Sequence, residues 1–374
     1  MTRSIVYFVD SVVFGGTEQA LLNLLSGLDR RQWRPIVFHH DEPGLAPLLE
    51  GARTLDVKLR AVPRQDKMGR AAATVTLFRE LRAERPTIFH AHLNWQSGCR
   101  LGVVVAAAAR VPVRVATVQL FVDLPRSLSL DVWRRIVTAG VDRYIAVSRE
   151  LGKRLETSGV PGNKIQVVHN GIPSERYARP APPQELRRRL AGDMCRKIVF
   201  TAARLHAQKG HHVLLQAATL VPNAVFVLAG DGPDRDELER QARRLGLGDR
   251  VLFLGYRQDI ADLLATCDVF VLPSLYEGLP LSILEAMAAG RPVICSAIGG
   301  SNEAVSNGDT GLLVQPENPT ELASAINMML SNPDLGQRLA AAAKTRVMKE
   351  FSATRMAESN MQIYEELSQR ISRY

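Results

Sequence analysis

Two series of short apolar runs, each separated by segments of helical periodicity, constrain the fold of this chain more than any other feature. The first series comprises Ile5–Val9, Ile36–His39, Thr87–His90, Val113–Val118, Tyr144–Val147 and Ile165–Val168. The second restarts at Lys197–Thr201 and continues through Ala224–Ala229, Val251–Leu254, Val269–Leu272 and Val293–Cys295. A strand that is apolar on both sides must be covered on both faces, which a parallel sheet between helices provides. Two such series in 374 residues predict two α/β domains. The proline-rich passage Ile172-Pro-Ser-Glu-Arg-Tyr-Ala-Arg-Pro-Ala-Pro-Pro183 reads as the linker between them. The predicted boundaries are an N-terminal domain over 1–172, a linker over 173–183, a second domain over 184–353 and a terminal helix over 354–374. Met361, Tyr364 and Leu367 would form one face of that helix. There is no solenoid-type repeat and no low-complexity tract.

Charge narrows the partners. With 47 basic and 38 acidic side chains the formal charge is +9, which favours anionic ligands. Aromatic residues are not interleaved with the basic ones, and no recognition-helix signature appears, so nucleic acid is not expected. Anionic membrane surfaces and sugar phosphates remain. The start Met1-Thr-Arg-Ser runs directly into a strand with no signal-peptide pattern, and the apolar run Leu101–Ala109 is too short to cross a bilayer. A cytoplasmic protein, peripheral at most on the inner face of the plasma membrane, is expected. Cys99, Cys195, Cys267 and Cys295 are scattered without metal-type spacing and read as reduced thiols.

Chemistry concentrates in Glu277-Gly-Leu-Pro-Leu-Ser-Ile-Leu-Glu285. Its two carboxylates bracket a tight turn, with Gly278 and Pro280, that runs into a helix. Pro280 suits a helix start, where its missing N–H costs nothing. Leu281, Ile283, Leu284 and Met287 give the helix an apolar face, and Gly290 and Pro292 close it. Free N–H groups at such a start attract phosphate. Glu277 lies just outside that anion site and Glu285 about a turn inside the helix. A ligand carrying both phosphates and hydroxyls, such as a nucleotide-sugar, suits an anion site flanked by two acids.

Further candidates follow the ends of predicted strands. Arg204 and Lys209 lie after Lys197–Thr201, placed to neutralise a diphosphate leaving group. Gly15-Gly16-Thr17-Glu18 opens a helix after the first strand, and its glycines permit close backbone approach to an anionic ligand. It is not the dinucleotide fingerprint, because the third glycine is absent and Gln19 follows; Gly230-Asp-Gly232-Pro233 fails the same test. Asp234 and Asp236 are acids expected at a helix start for dipole reasons rather than a metal pair. His206, His211 and His212 match no zinc spacing and are expected in solvent, and His39-His40 at a strand end carries no evident role.

The segment Glu277–Glu285, with the following Ala286-Met-Ala-Ala-Gly290-Arg-Pro-Val-Ile294, resembles the two-glutamate motif of the retaining glycosyltransferases of family 4. Gly15-Gly16-Thr17-Glu18, His90-Ala-His92, His169-Asn-Gly-Ile172, Arg204 with Lys209, Gly299-Gly300 and Gly308–Val314 are similar to that family's segments at matching places. The resemblance runs from the first loop to about residue 350. It implies the GT-B fold, with two Rossmann-like parallel-sheet domains facing a central cleft and the C-terminal helix crossing back to the first domain. It further implies that Arg204 and Lys209 serve the donor diphosphate without a metal or any cofactor, with Gly15 and Gly16 beside it. Gly278, Leu279, Leu281, Ser282 and Ile283 would line the donor, Glu285 the ribose, Glu277 the donor sugar and Gly255–Arg257 the base.

On the acceptor side the resemblance places His90 and His92, with a structural hydrogen bond as the alternative role for them. Many family members have a histidine two residues beyond Thr117, where this chain has Gln119, which donates hydrogen bonds but carries no charge. His169 stands where the family usually has proline. The implied activity is transfer of a hexose from a nucleoside diphosphate sugar, UDP first, to a glycan or lipid-linked acceptor in envelope polysaccharide or lipopolysaccharide assembly. The alternatives are a catalytically silent nucleotide-sugar-binding or scaffold protein and a nucleotide-sugar epimerase of the same fold. Two basic groups bear on the acceptor: Arg60, Arg64, Lys67, Arg70, Arg79, Arg82 and Arg85; then Arg126, Arg134, Arg135, Arg143 and Arg149, flanking Leu124, Leu128, Val132, Trp133 and Ile136. That stripe either lies on an anionic membrane or packs inward.

Overall fold

The computed structural model describes residues 2–64, 69–96, 98–123, 128–178, 184–192 and 196–371. The chain divides into two compact units, Met1–Gly171 with Ala353–Tyr374, and Ile172–Ser352. Lys67, Leu124, Arg126, Cys195, linker residues 179–183 and terminal residues 372–374 lie outside the described residues, as do the side chains of Arg70 and Leu128.

The first unit holds β1 (Arg3–Val9), β2 (Trp33–His39), β3 (Lys58–Ala61), β4 (Ile88–Leu93), β5 (Val113–Val118), β6 (Arg143–Ala146) and β7 (Ile165–Val167). They form one sheet in the order β3-β2-β1-β4-β5-β6-β7, every pair parallel. The second holds β8 (Lys197–Ala202), β9 (Ala224–Ala229), β10 (Val251–Phe253), β11 (Val269–Leu272), β12 (Val293–Ser296) and β13 (Leu312–Val314). Their order is β10-β9-β8-β11-β12-β13, again parallel throughout. In each sheet the strand order reverses beside the first strand, between β1 and β4 and between β8 and β11. Loops leave such a switch point in opposite directions, and the crevice at the strands' carboxyl ends is where ligands of this architecture bind.

Two edge strands, β3 and β13, are absent from the apolar series: β3 is polar with half-covered side chains, and β13 is an apolar run of only three residues. Strand β2 begins at Trp33, ahead of Pro35. The ladder to β3 starts only at Ile36, so proline stands where the strand has one neighbour instead of two. The linker expectation also changes: Ser174–Tyr177 is a 3-10 turn with Tyr177 buried in the second unit. The helix Ala353–Ile371 completes the first unit's core with Met356, Ala357, Ile363, Tyr364 and Leu367. Gly27 accepts it closely, for a Cβ there would lie 2.7 Å from the Ala353 carbonyl oxygen. Among the described residues no helix is long and apolar enough to cross a membrane.

Candidate active site

In the second unit, two segments leave the β8/β11 switch point. After β8 the chain passes Arg204, makes a 3-10 turn at Ala207–Lys209 and enters the helix His211–Thr219. After β11 it passes Pro273 and Ser274 to Glu277, then enters the helix Leu281–Ala288. The segments are stitched together by Leu275 N–H to the Gln208 carbonyl at 2.8 Å and Gln208 Nε2 to the Tyr276 carbonyl at 2.9 Å. Gly210 permits this approach: its φ is +64°, and a Cβ would sit 2.0 Å from the Pro273 carbonyl oxygen.

The stitching brings Lys209 to Glu277. Lys209 Nζ lies 2.5 Å from Glu277 Oε1, and Ser274 Oγ donates to the same oxygen at 2.7 Å. The Glu277 side chain is 6% exposed, and these donors satisfy its buried Oε1. Arg204 is exposed, and its guanidinium has no partner among the described residues. Its carbonyl, in contrast, is held by His211 Nε2 at 3.2 Å. Contrary to the expectation of a solvated loop, His211 is buried on the inner face of its helix, and that burial pushes its pKa down to about 4. His206 caps the 3-10 turn, its Nδ1 accepting from Gln208 N–H at 3.3 Å. Among the described residues no three metal-ligating side chains gather.

Pro280 is the N-cap of the helix Leu281–Ala288, with no side chain capping it. The first-turn N–H groups of Leu281, Ser282 and Ile283 therefore have no acceptor within the helix. The preceding turn is braced by Gly300, where a Cβ would fall 1.7 Å from the Gly278 carbonyl oxygen. Leu279 is buried under the same turn. One turn into the helix, buried Glu285 accepts at Oε1 from Tyr177 O–H at 2.8 Å, and burial raises its carboxyl above the usual range. Arg257 is engaged by Asp259, with Nε 2.7 Å from Oδ1, and the carbonyl of Gly255 in the same loop accepts from Gly230 N–H at 2.8 Å.

In the first unit, Gly15 begins the helix Gly16–Ser26. Buried Glu18 accepts from Gly15 N–H at 2.8 Å and from Ser11 Oγ at 2.5 Å. A Cβ at Gly16 would meet nothing within 4 Å, so space beside this helix start is open. His90 is fully buried, with Nδ1 2.6 Å from Tyr364 Oη and Nε2 2.7 Å from Thr117 Oγ1. With no exposed surface and no free ring nitrogen, it is a core residue rather than an acceptor ligand. His92 is also buried, and its pKa is pushed down to about 3 by burial. Neither of its ring nitrogens has a partner among the described residues, and it lines a small cavity with Thr117, Gln119 and Asn170. Gln119 and Asn170 bond each other reciprocally, at 2.8 and 3.2 Å.

Comparison with known proteins decides the family. A profile described as Glycosyl transferases group 1 matches residues 183–346, and one described as Glycosyltransferase Family 4 matches residues 14–176. The alpha-maltose-1-phosphate synthase of Mycolicibacterium smegmatis is 30% identical over 315 residues, which cover 76% of this chain and 80% of that one. This chain is a family 4 glycosyltransferase of the GT-B fold. A second relative of the glycosyltransferase, the UDP-Gal:alpha-D-GlcNAc-diphosphoundecaprenol alpha-1,3-galactosyltransferase of Escherichia coli, is 34% identical over 255 residues, covering 64% of this chain and 65% of that one. Anabaena Alr3699/HepE, solved in complex with UDP and glucose, superposes with a TM-score of 0.85 at 25% identity, over 98% of this chain and 100% of that one.

Sequence reasoning on the glycosyltransferase missed two pairs. His40 is buried, with Nε2 2.9 Å from Asp10 Oδ1 and Nδ1 3.0 Å from the Val62 carbonyl. Burial opposes its charge, but the carboxylate and carbonyl outweigh that and raise its pKa. The other pair is Tyr177 with Glu285. Each joins residues distant in sequence, so no local spacing marked them. Several of the basic residues are also neutralised: Arg60 pairs with Glu80 and Glu84, and Arg64 with Glu42, each at 3.2 Å.

Proposed function

We propose that this enzyme transfers a hexose from a nucleoside diphosphate sugar, UDP-linked in first place, to a hydroxyl of a glycan or lipid-linked acceptor, with retention and without a metal. The observation that carries the reading is the convergence of Arg204, Lys209, Glu277, Glu285 and the amides of Leu281–Ile283 on one switch point. Those amides and the two cations match a diphosphate, and the two carboxylates match hydroxyls on either side of it. The relative that acts on UDP-Gal and the neighbour that holds UDP support the choice of base and the place in envelope polysaccharide assembly.

In this reading Glu277 binds hydroxyls of the donor sugar and Glu285 those of the ribose. As the glycosidic bond breaks, positive charge grows on the sugar and negative charge on the leaving phosphate. Arg204, Lys209 and the helix amides stabilise that separation more than they stabilise the ground state. The acceptor enters from the leaving-group side, so configuration is kept, and the leaving phosphate oxygen takes its proton. The test is incubation with UDP-, GDP- and ADP-sugars in the presence of EDTA, reading both donor binding and nucleoside diphosphate release. Binding and metal-free release from one donor are expected, and Glu277→Ala should abolish release. Failure of every donor to bind refutes the reading and favours a silent scaffold.

A membrane-facing acceptor has its own observation. On the helix Leu128–Gly140, Val137 turns inward, whereas Val132, Trp133 and Ile136 are 55%, 43% and 46% exposed beside Arg134 and Arg135. An apolar face bordered by cations suits an anionic lipid surface. Sedimentation with anionic and with neutral vesicles tests this, and equal binding to both counts against it.

A further inference from the structure

Glu285 projects from the second turn of the helix Leu281–Ala288 and is 8% exposed. A carboxylate that buried needs donors to remain charged. One comes from Tyr177, whose O–H lies 2.8 Å from Oε1 and which arrives from the 3-10 turn Ser174–Tyr177. Burial raises the Tyr177 phenol far above its ordinary range, so it remains an O–H donor. The other oxygen, Oε2, has no hydrogen-bond partner among the described residues, yet it is not sealed from solvent. A glutamate's terminal torsion is soft and would otherwise let the two oxygens exchange places. The tyrosine bond removes that freedom and makes one oxygen structural and the other available.

We propose that Tyr177 is a positioning residue of the donor site. By holding Oε1 of Glu285 it presents Oε2 to the vicinal hydroxyls of a ribonucleoside diphosphate, so the enzyme distinguishes ribose from deoxyribose through this pair. The inference rests on the reading of Glu285 as the ribose ligand. It adds that discrimination depends on a phenol outside the two-glutamate segment.

Calorimetric titration with UDP, 2′-deoxy-UDP and 3′-deoxy-UDP tests it. The unaltered enzyme is expected to prefer UDP to at least one deoxy analogue by about tenfold, the worth of one hydrogen bond to a charged group. Tyr177→Phe should bring that ratio below about threefold while retaining diphosphate-driven binding, a selective loss that general destabilisation does not produce. Glu285→Gln provides a second route should the phenylalanine variant fold poorly. Its Oε1 still accepts from Tyr177, but an N–H₂ replaces Oε2, and the ribose preference should vanish. An undiminished ribose preference in either folded variant overturns the proposal. No UDP binding by the unaltered enzyme refutes the donor reading itself, whereas UDP binding without ribose preference refutes only the roles of Glu285 and Tyr177.

Discussion

Replacing Glu277 by Gln is expected to tighten UDP binding while stopping sugar transfer. Lys209, assigned to the diphosphate, is engaged by Glu277 Oε1 at 2.5 Å, so an incoming phosphate competes with a carboxylate for the same cation. Gln keeps the shape of the side chain and still accepts from Ser274 and Lys209, but it removes the negative charge. A carboxylate and a phosphate charge roughly 8 Å apart repel by about 2 kcal/mol at an effective dielectric of about 20. Partial exposure of the lysine, 20%, allows solvent to reduce that figure by about half. The remaining ~1 kcal/mol corresponds to an approximately fivefold lower Kd for UDP. Transfer should fall by about a hundredfold or more, because the contact proposed between Glu277 and the reacting sugar would be weakened. Calorimetry at low and high ionic strength is the assay, and the gain should shrink as salt screens the repulsion. Weaker UDP binding by the folded Gln variant at both salt concentrations would refute the competition argument.

The remaining expectations concern stability and the exposed cation. Gly210→Ala forces a Cβ against the Pro273 carbonyl in a left-handed backbone, and should cost about 3 kcal/mol or more in urea unfolding; a loss below about 1 kcal/mol counts against the close approach. His92 and His211 have folded pKa values lowered to about 3 and about 4, so they fold neutral. Their stabilising contribution is complete above the unfolded value of about 6.5 and falls as pH drops toward those folded values, by roughly 2 kcal/mol each at about pH 5. His211→Gln should flatten that acid slope, and an unchanged slope contradicts the assignment. His40, with a raised pKa, contributes in the opposite sense, its stabilisation being complete below about 6.5 and lost as pH rises through its folded value. Arg204→Ala should leave the melting temperature unchanged, since its guanidinium has no partner among the described residues, but should weaken UDP binding about tenfold; unaltered affinity removes Arg204 from the site.

Central strands were legible in the sequence because burial on both faces makes them uniformly apolar, as in Ala224-Val-Phe-Val-Leu-Ala229. The polar edge strand β3 was not, since Lys58-Leu-Arg-Ala61 needs apolar side chains on neither its free edge nor its partly open faces, whereas the edge strands β7 and β10 kept enough apolar residues to be seen. Glu277, Glu285, Arg204 and Lys209 stood out individually from their positions at strand ends. Their partners did not, because partnership depends on sheet order: Lys209 meets Glu277 only because β8 lies beside β11. His90 could be read either as an acceptor ligand or as a structural residue for a related reason. A histidine near a strand's carboxyl end looks available until the C-terminal helix supplies Tyr364 against it. The prolines around residues 180–183 suggested a linker that began too early, since Tyr177 already belongs to a packed core.

That C-terminal helix also sets the order in which the molecule becomes whole. The second unit is one uninterrupted stretch, Ile172–Ser352, and has all its residues before the helix is made. The first unit, although synthesised earlier, waits for Ala353–Ile371 to cover its core and to bring Tyr364 against Trp33 and His90. On the ribosome the half begun first is therefore finished last. A chain terminated early in that helix carries a finished second unit beside an N-terminal unit whose apolar floor is uncovered. Chaperones and proteases act on such surface, so synthesis of Ala353–Ile371 separates a covered first unit from one marked for disposal.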